Sequence, residues 1–261
     1  MKHSHFDCIG FKIKKDDDLV KMIDLTRPHL QIAENRAKSG FQLLYYNDEQ
    51  GVQMFYTLKN NEIYGLNPHF YGEIVHDMAI NELIVDESGD IIARAWLNPD
   101  ESLTDGIVPL FFSFPNGFFY KREKMPYLAP IQLTAFAEDY KVYPTENKLM
   151  DKLQKMKLGE FEGKELSFAT DYFIPVGTFQ EEESIQLNAL VQFAGEIESV
   201  NLLTNSLSKQ PFYHLKVASM IRIDVVLPKI KGENIKQGQF IEGIFWLSGI
   251  RIKLKNGYKH G

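Results

Sequence analysis

The alternation of apolar and polar residues after position 184 constrains this chain more than any other feature. Ile185, Leu187, Ala189, Val191 and Phe193 share one side of a period-two pattern, and Ser184, Gln186, Asn188 and Gln192 share the other. Successive side chains of a strand point to opposite faces, so such a run reads as a strand with one buried face. Gly195 interrupts the run, and Ile197 and Val200 continue it. A long strand with a glycine at its bend suits a closed sheet in which one strand serves both halves. Tyr213, Leu215 and Val217 then alternate with Phe212, His214 and Lys216, and Ile221, Ile223 and Val225 with Arg222 and Asp224. Residues 228–238 form a polar excursion and residues 240–247 a fourth strand. After a turn at Ser248-Gly249, Ile250, Ile252 and Leu254 alternate with Arg251, Lys253 and Lys255 in a fifth.

Five strands, a bent first one and the main excursion between the third and fourth resemble the OB-fold, a five-stranded Greek-key barrel. The resemblance covers residues 184–255, with 161–179 as a lead-in. It implies a ligand face on strands two and three and the flanking loops, of the kind that takes oligonucleotides or oligosaccharides. On this chain that face holds Phe212, His214, Lys216 and Arg222, with Trp246 and Arg251 on neighbouring strands. Aromatic rings interleaved with cations are what single-strand binding uses. Asp224 and Glu242 place negative charge on the same face, however, and the chain carries a net charge of −6. From Glu160 onward there are 12 acidic and 11 basic residues. Phosphate binding needs a positive footprint, so charge disfavours nucleic acid and another protein is the first expected partner.

The N-terminal part reads as an α+β domain over residues 1–158, with a mainly antiparallel sheet, followed by the OB-like barrel over 159–261. The run 8–13 is strand-like. Asp16, Asp17 and Asp18 stand where carboxylates cap a helix, and Leu19, Val20, Met22, Ile23 and Leu25 give it an apolar stripe that Pro28 ends. A meander follows, with strands at 41–46, 52–58 and 63–66, and a hairpin pairs 79–85 with 91–97. Residues 107–114 and 118–120 read as further strand, while 131–137 fits strand or short helix. Residues 145–156 form a charged helix, with Leu149, Leu153 and Met156 on one side, connecting the two parts. Phe111, Phe112, Phe114, Phe118, Phe119 and Tyr120 make the N-terminal sheet aromatic-rich and offer a second contact surface.

Candidates for chemistry are sparse. His69 and His76, with Glu73 and Asp77 nearby, lack the spacing of a metal pair on one helix face or one strand face. The order strand, helix, three strands over residues 6–66 resembles one module of the vicinal-oxygen-chelate, glyoxalase-like enzymes. That resemblance implies a metal held by His5, Glu62 and His69, but those enzymes pair two modules and no second helix precedes residues 79–97. No G-x-S-x-G elbow, phosphate loop, G-x-G-x-x-G or H-E-x-x-H occurs. Cys8, the single cysteine, sits in an apolar run and reads as a core residue, and Glu181, Glu182 and Glu183 as a solvated loop. The start of the chain lacks the apolar core of a signal peptide, and no apolar run approaches a bilayer's thickness. The expectation is a cytoplasmic, non-enzymatic binding protein without cofactor, metal or membrane contact; single-stranded nucleic acid, oligosaccharide or glyoxalase-like chemistry are the alternatives.

Overall fold

The computed structural model describes residues 4–36, 41–85, 90–155, 160–161, 164–165, 169–176 and 189–252. The described chain is β-rich, with two helices, α1 (Asp16–Thr26) and α2 (Glu146–Lys155). The strands of its first part are β1 (Gln31–Arg36), β2 (Phe41–Asn47), β3 (Val52–Lys59), β4 (Glu62–Phe70), β5 (Val75–Val85), β6 (Ile91–Pro99), β7 (Gly106–Ser113) and β8 (Tyr127–Tyr143). The short β9 (Glu160–Phe161), β10 (Lys164–Glu165) and β11 (Phe173–Val176) follow, then β12 (Leu190–Thr204), β13 (Pro211–Ala218), β14 (Arg222–Pro228) and β15 (Phe240–Arg251). No described helix is long and apolar enough to cross a membrane.

Strands β1 to β4 form an antiparallel meander in sequence order. Its register places Leu43, Tyr45 and Asn47 opposite Thr57, Phe55 and Gln53 on one face, and Leu44 and Tyr46 opposite Tyr56 and Met54 on the other. The second face is buried, with Tyr46, Met54 and Tyr56 almost inaccessible. It reaches α1, where the Thr26 hydroxyl bonds the Tyr56 hydroxyl. The three aspartates fill the first turn of α1, where carboxylates favour the positive helix pole. None caps the helix; Asp18 instead accepts from the Lys14 N–H at 3.2 Å.

Strands β5 to β8 and β11 to β15 make a nine-stranded mixed sheet that closes on itself twice, through β12–β15 and β8–β5. One ring is β12-β13-β14-β8-β15, in which β8 runs parallel to β14. The other is β5-β6-β7-β15-β8, closed by the single parallel bridge Ser248–Ser113. Both contain the β8–β15 ladder, which extends from Phe240↔Tyr143 to Arg251↔Ile131. At 17 residues, β8 spans roughly 55 Å, long enough to serve both rings in succession. Its residues 127–132 pair with β5 and 134–136 with β14. Strand β12 likewise pairs with β15 through 190–196 and with β13 through 196–204, changing partner beside Gly195. Hydrogen-bonded ladders therefore cross residue 158, and one apolar cluster runs from Ile80 and Phe112 through Phe136 to Phe193 and Phe245.

Several expectations are corrected. The run 8–13 is a 3-10 turn (Asp7–Ile9) and a loop, because the Asp7 carboxylate accepts the Ile13 N–H at 3.0 Å and folds the segment back. Residues 118–120 belong to a 3-10 turn (Gly117–Tyr120). Residues 131–137, which fit strand or short helix, are strand: Ile131, Leu133 and Ala135 alternate with Gln132 and Thr134, and the whole stretch is buried because both faces of β8 are covered. The expected fourth and fifth C-terminal strands are one, β15, running straight through Ser248-Gly249. No turn forms there because the Ser248 hydroxyl has a buried partner, His69. Gly249 is required by close packing, since a Cβ would stand 2.6 Å from the Phe112 ring. The fifth member of the C-terminal ring is thus β8 from the first part. Strand β1 lies in a stretch that showed no strand pattern, and residues 184–188 and 253–255 of the expected first and last strands lie outside the described residues.

The β8–β15 ladder passes so closely at Gly243 that a Cβ there would lie 2.2 Å from the Asp139 carbonyl oxygen. Backbone cannot yield as a side-chain tip can. Gly243→Ala is expected to lower unfolding free energy by about 3 kcal/mol in urea titration. A loss under about 0.5 kcal/mol, the level of a neutral surface change, would show that the strands are not held this tightly.

Candidate functional site

Three polar centres lie where strands exchange partners. The first is at the fork of the two rings. His69, on β4, is fully buried; its Nε2 lies 2.6 Å from Gln132 Oε1 and its Nδ1 2.9 Å from the Ser248 hydroxyl. Gln132 Nε2 donates to the Thr134 hydroxyl, which donates to the Phe70 carbonyl. An amide oxygen only accepts, so Nε2 carries the proton and Nδ1 accepts from Ser248. Burial holds the imidazole neutral and lowers its pKa to about 4, against smaller opposing effects of Gln132 and Asp224. Ser248, His69 and Gln132 have the connectivity of nucleophile, base and orienting group. Ser248 and His69 both have zero exposure, however, so substrate cannot reach them.

The second centre is the inaccessible Asp224 carboxylate on β14, which lies 2.7 Å from His214 Nε2 and accepts from the Glu73 and Ile74 N–H groups at 3.0 and 2.9 Å. It pins the β4–β5 connection across β13 and β14. Lys216 reaches over it to Glu73 at 2.6 Å, and His76, its pKa lowered by burial, bonds the Arg222 carbonyl. The third is Glu242, which holds Lys152 of α2 and accepts from the Tyr143 and Tyr172 hydroxyls at 3.1 and 3.2 Å. Burial, then the Glu242 charge, pushes the Tyr143 phenol up to about 12. Each centre ties a peripheral element to a ring.

The residues expected on the barrel face are dispersed by this arrangement. Phe212 is fully buried, with its ring 6.0 Å from that of Phe70, and His214 lies under Phe70 at 4.6 Å. Lys216 and Arg222 pair with Glu73 and Glu198. Trp246 is roofed by the His5 ring, parallel at 4.2 Å, and His5 bonds Glu138 at 2.6 Å. Arg251 lies at the far end of β15. The residues of the glyoxalase-like set do not meet: His5 is on Trp246, His69 at the fork, and Glu62 exposed at the start of β4. Among the described residues no three His, Cys, Asp or Glu side chains gather to hold a metal. Cys8 is buried against the Ala137 carbonyl, and burial pushes its thiol pKa far up, opposite to a reactive cysteine.

Arg251 instead lines an open cleft of about 460 Å³ between the meander and the Gly117–Tyr120 turn, with Leu43, Tyr45, Gln53, Phe55, Asn116, Phe119, Tyr120 and Glu123 among its walls. Tyr45 and Phe55, cross-strand partners, have near-parallel rings 6.2 Å apart. The Arg251 guanidinium lies 4.5 Å from the Tyr120 ring centre, 5.3 Å from that of Tyr127 and 2.6 Å from Glu123. Asn116 is fixed at both ends, donating to the Arg251 carbonyl and accepting the Arg251 N–H. Gln53 donates to Asn47 at 3.1 Å, while its buried Oε1 has no partner. Sequence reading located Phe119, Tyr120 and Arg251 but not their convergence. The signal for the other wall was the shared strand face of Tyr45, Gln53 and Phe55, visible only once β2 and β3 are put in register.

Compared with models of known protein families, with curated proteins and with solved structures, the chain matches none.

The fork predicts an acid response. His69 has its ordinary pKa near 6.5 when unfolded and about 4 when folded, so the unfolded chain binds the proton first. The stability contributed by the neutral ring is complete above pH 6.5 and is lost as pH falls through 4, about 3 kcal/mol in all. Urea unfolding from pH 7 to 4 should show that loss, and His69→Gln should remove most of it, leaving a smaller slope that includes His76. An unchanged slope in His69→Gln would contradict a buried neutral His69.

Proposed function

We propose that the chain is a non-enzymatic binding protein whose ligand site is the cleft between the meander and the Gly117–Tyr120 turn. The observation that carries this reading is the convergence on one open cavity of four aromatic side chains and Gln53, whose amide oxygen is buried without a partner beside the cleft. Ligand sites are concave and mainly apolar, with a few placed polar groups. An unsatisfied buried acceptor costs about 1–3 kcal/mol and is rare without a reason. At this size the cleft takes a projecting group, so the expected protein partner would engage it through one such group rather than through a broad flat face.

The OB-like reading belongs here as well. The ring β12-β13-β14-β8-β15, with β8 parallel to β14, supports an OB-like closure in which β8 takes the fifth strand's place. Its ligand face would be β13 and β14. The connection through residues 71–74 lies across that face, held by Asp224, and this favours the cleft over the barrel as the binding surface. Fold alone is no warrant for function.

Saturation-transfer NMR with ring-bearing fragments tests the reading. Fragments should bind the native chain, and Tyr45→Ala and Phe119→Ala should each weaken binding at least about tenfold, the equivalent of about 1.4 kcal/mol. Lys216→Ala and Arg222→Ala, on the barrel strands β13 and β14, should leave it unchanged. The opposite pattern would move the site to the barrel.

A further inference from the structure

The cleft's lining defines the chemistry of what fills it. Its two charged groups, Arg251 and Glu123, lie 2.6 Å apart and cancel. A phosphate-bearing ligand would meet a guanidinium already paired, and a cationic side chain would be brought beside Arg251. Charge therefore favours neither. What remains are aromatic side chains from two sides, Tyr45 and Phe55 of the meander and Phe119 and Tyr120 of the turn, and planar polar groups: an amide at Asn116, another at Gln53, a carboxylate and a guanidinium. Several are oriented before any ligand arrives, Asn116 by the Arg251 backbone and Tyr45 by its bond to Gln31 at 2.8 Å. Preorganisation of this kind lowers the entropic cost of binding. Gln53 is held at its nitrogen by Asn47, and its oxygen is buried without a donor. The terminal torsion of a glutamine is soft, so a donor entering the cleft can recruit that oxygen.

We propose that this cleft binds a neutral pyranose ring of a saccharide. The inference rests on the reading of the cleft as a ligand site. A pyranose presents an apolar C–H face to an aromatic ring and a rim of hydroxyls that donate and accept at once. Hydroxyl donors suit Gln53 Oε1 and Glu123; hydroxyl acceptors suit the guanidinium, which has five N–H groups, of which Nη1 bonds Glu123. A sugar carries no net charge to unbalance the Arg251–Glu123 pair. The volume, about 460 Å³, falls within the range of small-ligand pockets.

The test uses the full chain with five probes taken singly: maltotriose, cellotriose, chitotriose, the peptide Gly-Arg-Gly and adenosine monophosphate. Saturation-transfer NMR and calorimetry should show at least one trisaccharide binding below about 10 mM, with saturation reaching its ring C–H protons. Phe119→Ala and the shape-conserving Gln53→Leu should each weaken it about tenfold or more, while Lys216→Ala should not. The second substitution removes only the amide, so it remains informative if the first disturbs the turn. Trisaccharide binding indifferent to both cleft variants would overturn the proposal. Binding of only the peptide or the nucleotide, lost in Phe119→Ala, would overturn the saccharide and leave the ligand site standing. Silence from all five probes would overturn the saccharide and the cleft as a small-ligand site together.

Discussion

Everything in this molecule depends on the ladder between β8 and β15. Two rings of strands share it, and neither closes without it. The ladder is long enough for each ring to take its own stretch, and the exchange occurs over Gln132 to Thr134, where β8 leaves β5 and turns to β14. Strands that change neighbours leave backbone and side-chain polar groups pointing into the gap, and buried polar groups must find partners. His69, Gln132, Thr134 and Ser248 supply them, and the Phe70 carbonyl closes the set. The same histidine belongs to the meander, so the fork's polar requirement is also what fastens the meander to the rings.

The cleft follows from that attachment. One face of the meander is buried, reaching α1, and the other meets the end of β15, where Leu43 and Phe55 pack with Ile250. Where that contact stops, the Gly117–Tyr120 turn comes in from the second ring and the cleft opens between them. Gln53 is the register partner of His69, so the unpartnered amide lies next to the residue that fixes the meander in place. Architecture and site are therefore linked through two adjacent side chains on β3 and β4.

Much of the strand content was legible from the sequence, because β13 and β14 carry local alternation and β2 and β3 are apolar and aromatic runs bounded by turn residues. What was not legible is how strands far apart in the chain meet. The pattern of residues 131–137 fits strand or short helix, and nothing local marks that stretch as a partner of β14 ninety positions later. Ser248-Gly249 has turn chemistry, but a distant histidine and a distant phenylalanine ring give those two residues a strand role instead. The barrel-face residues were placed in alternation along β13; that 71–74 crosses over them is a tertiary fact set by Asp224. In the cleft, Arg251, Phe119 and Tyr120 were visible as residue types, and their neighbours across the gap were not.

If the shared ladder is the keystone, the two rings cannot open independently. Native-state hydrogen exchange followed by mass spectrometry measures this directly, by comparing amides of β6 and β7 in one ring with those of β13 and β14 in the other, and both with the β8–β15 amides. A shared ladder predicts that the slowest amides of all three groups exchange with one opening free energy and the same denaturant dependence, the mark of a single cooperative unit. If β6 and β7 instead exchanged through an opening clearly separate from that of β13 and β14, with the β8–β15 amides divided between them, the rings would be independent domains and the keystone role of the ladder would be contradicted.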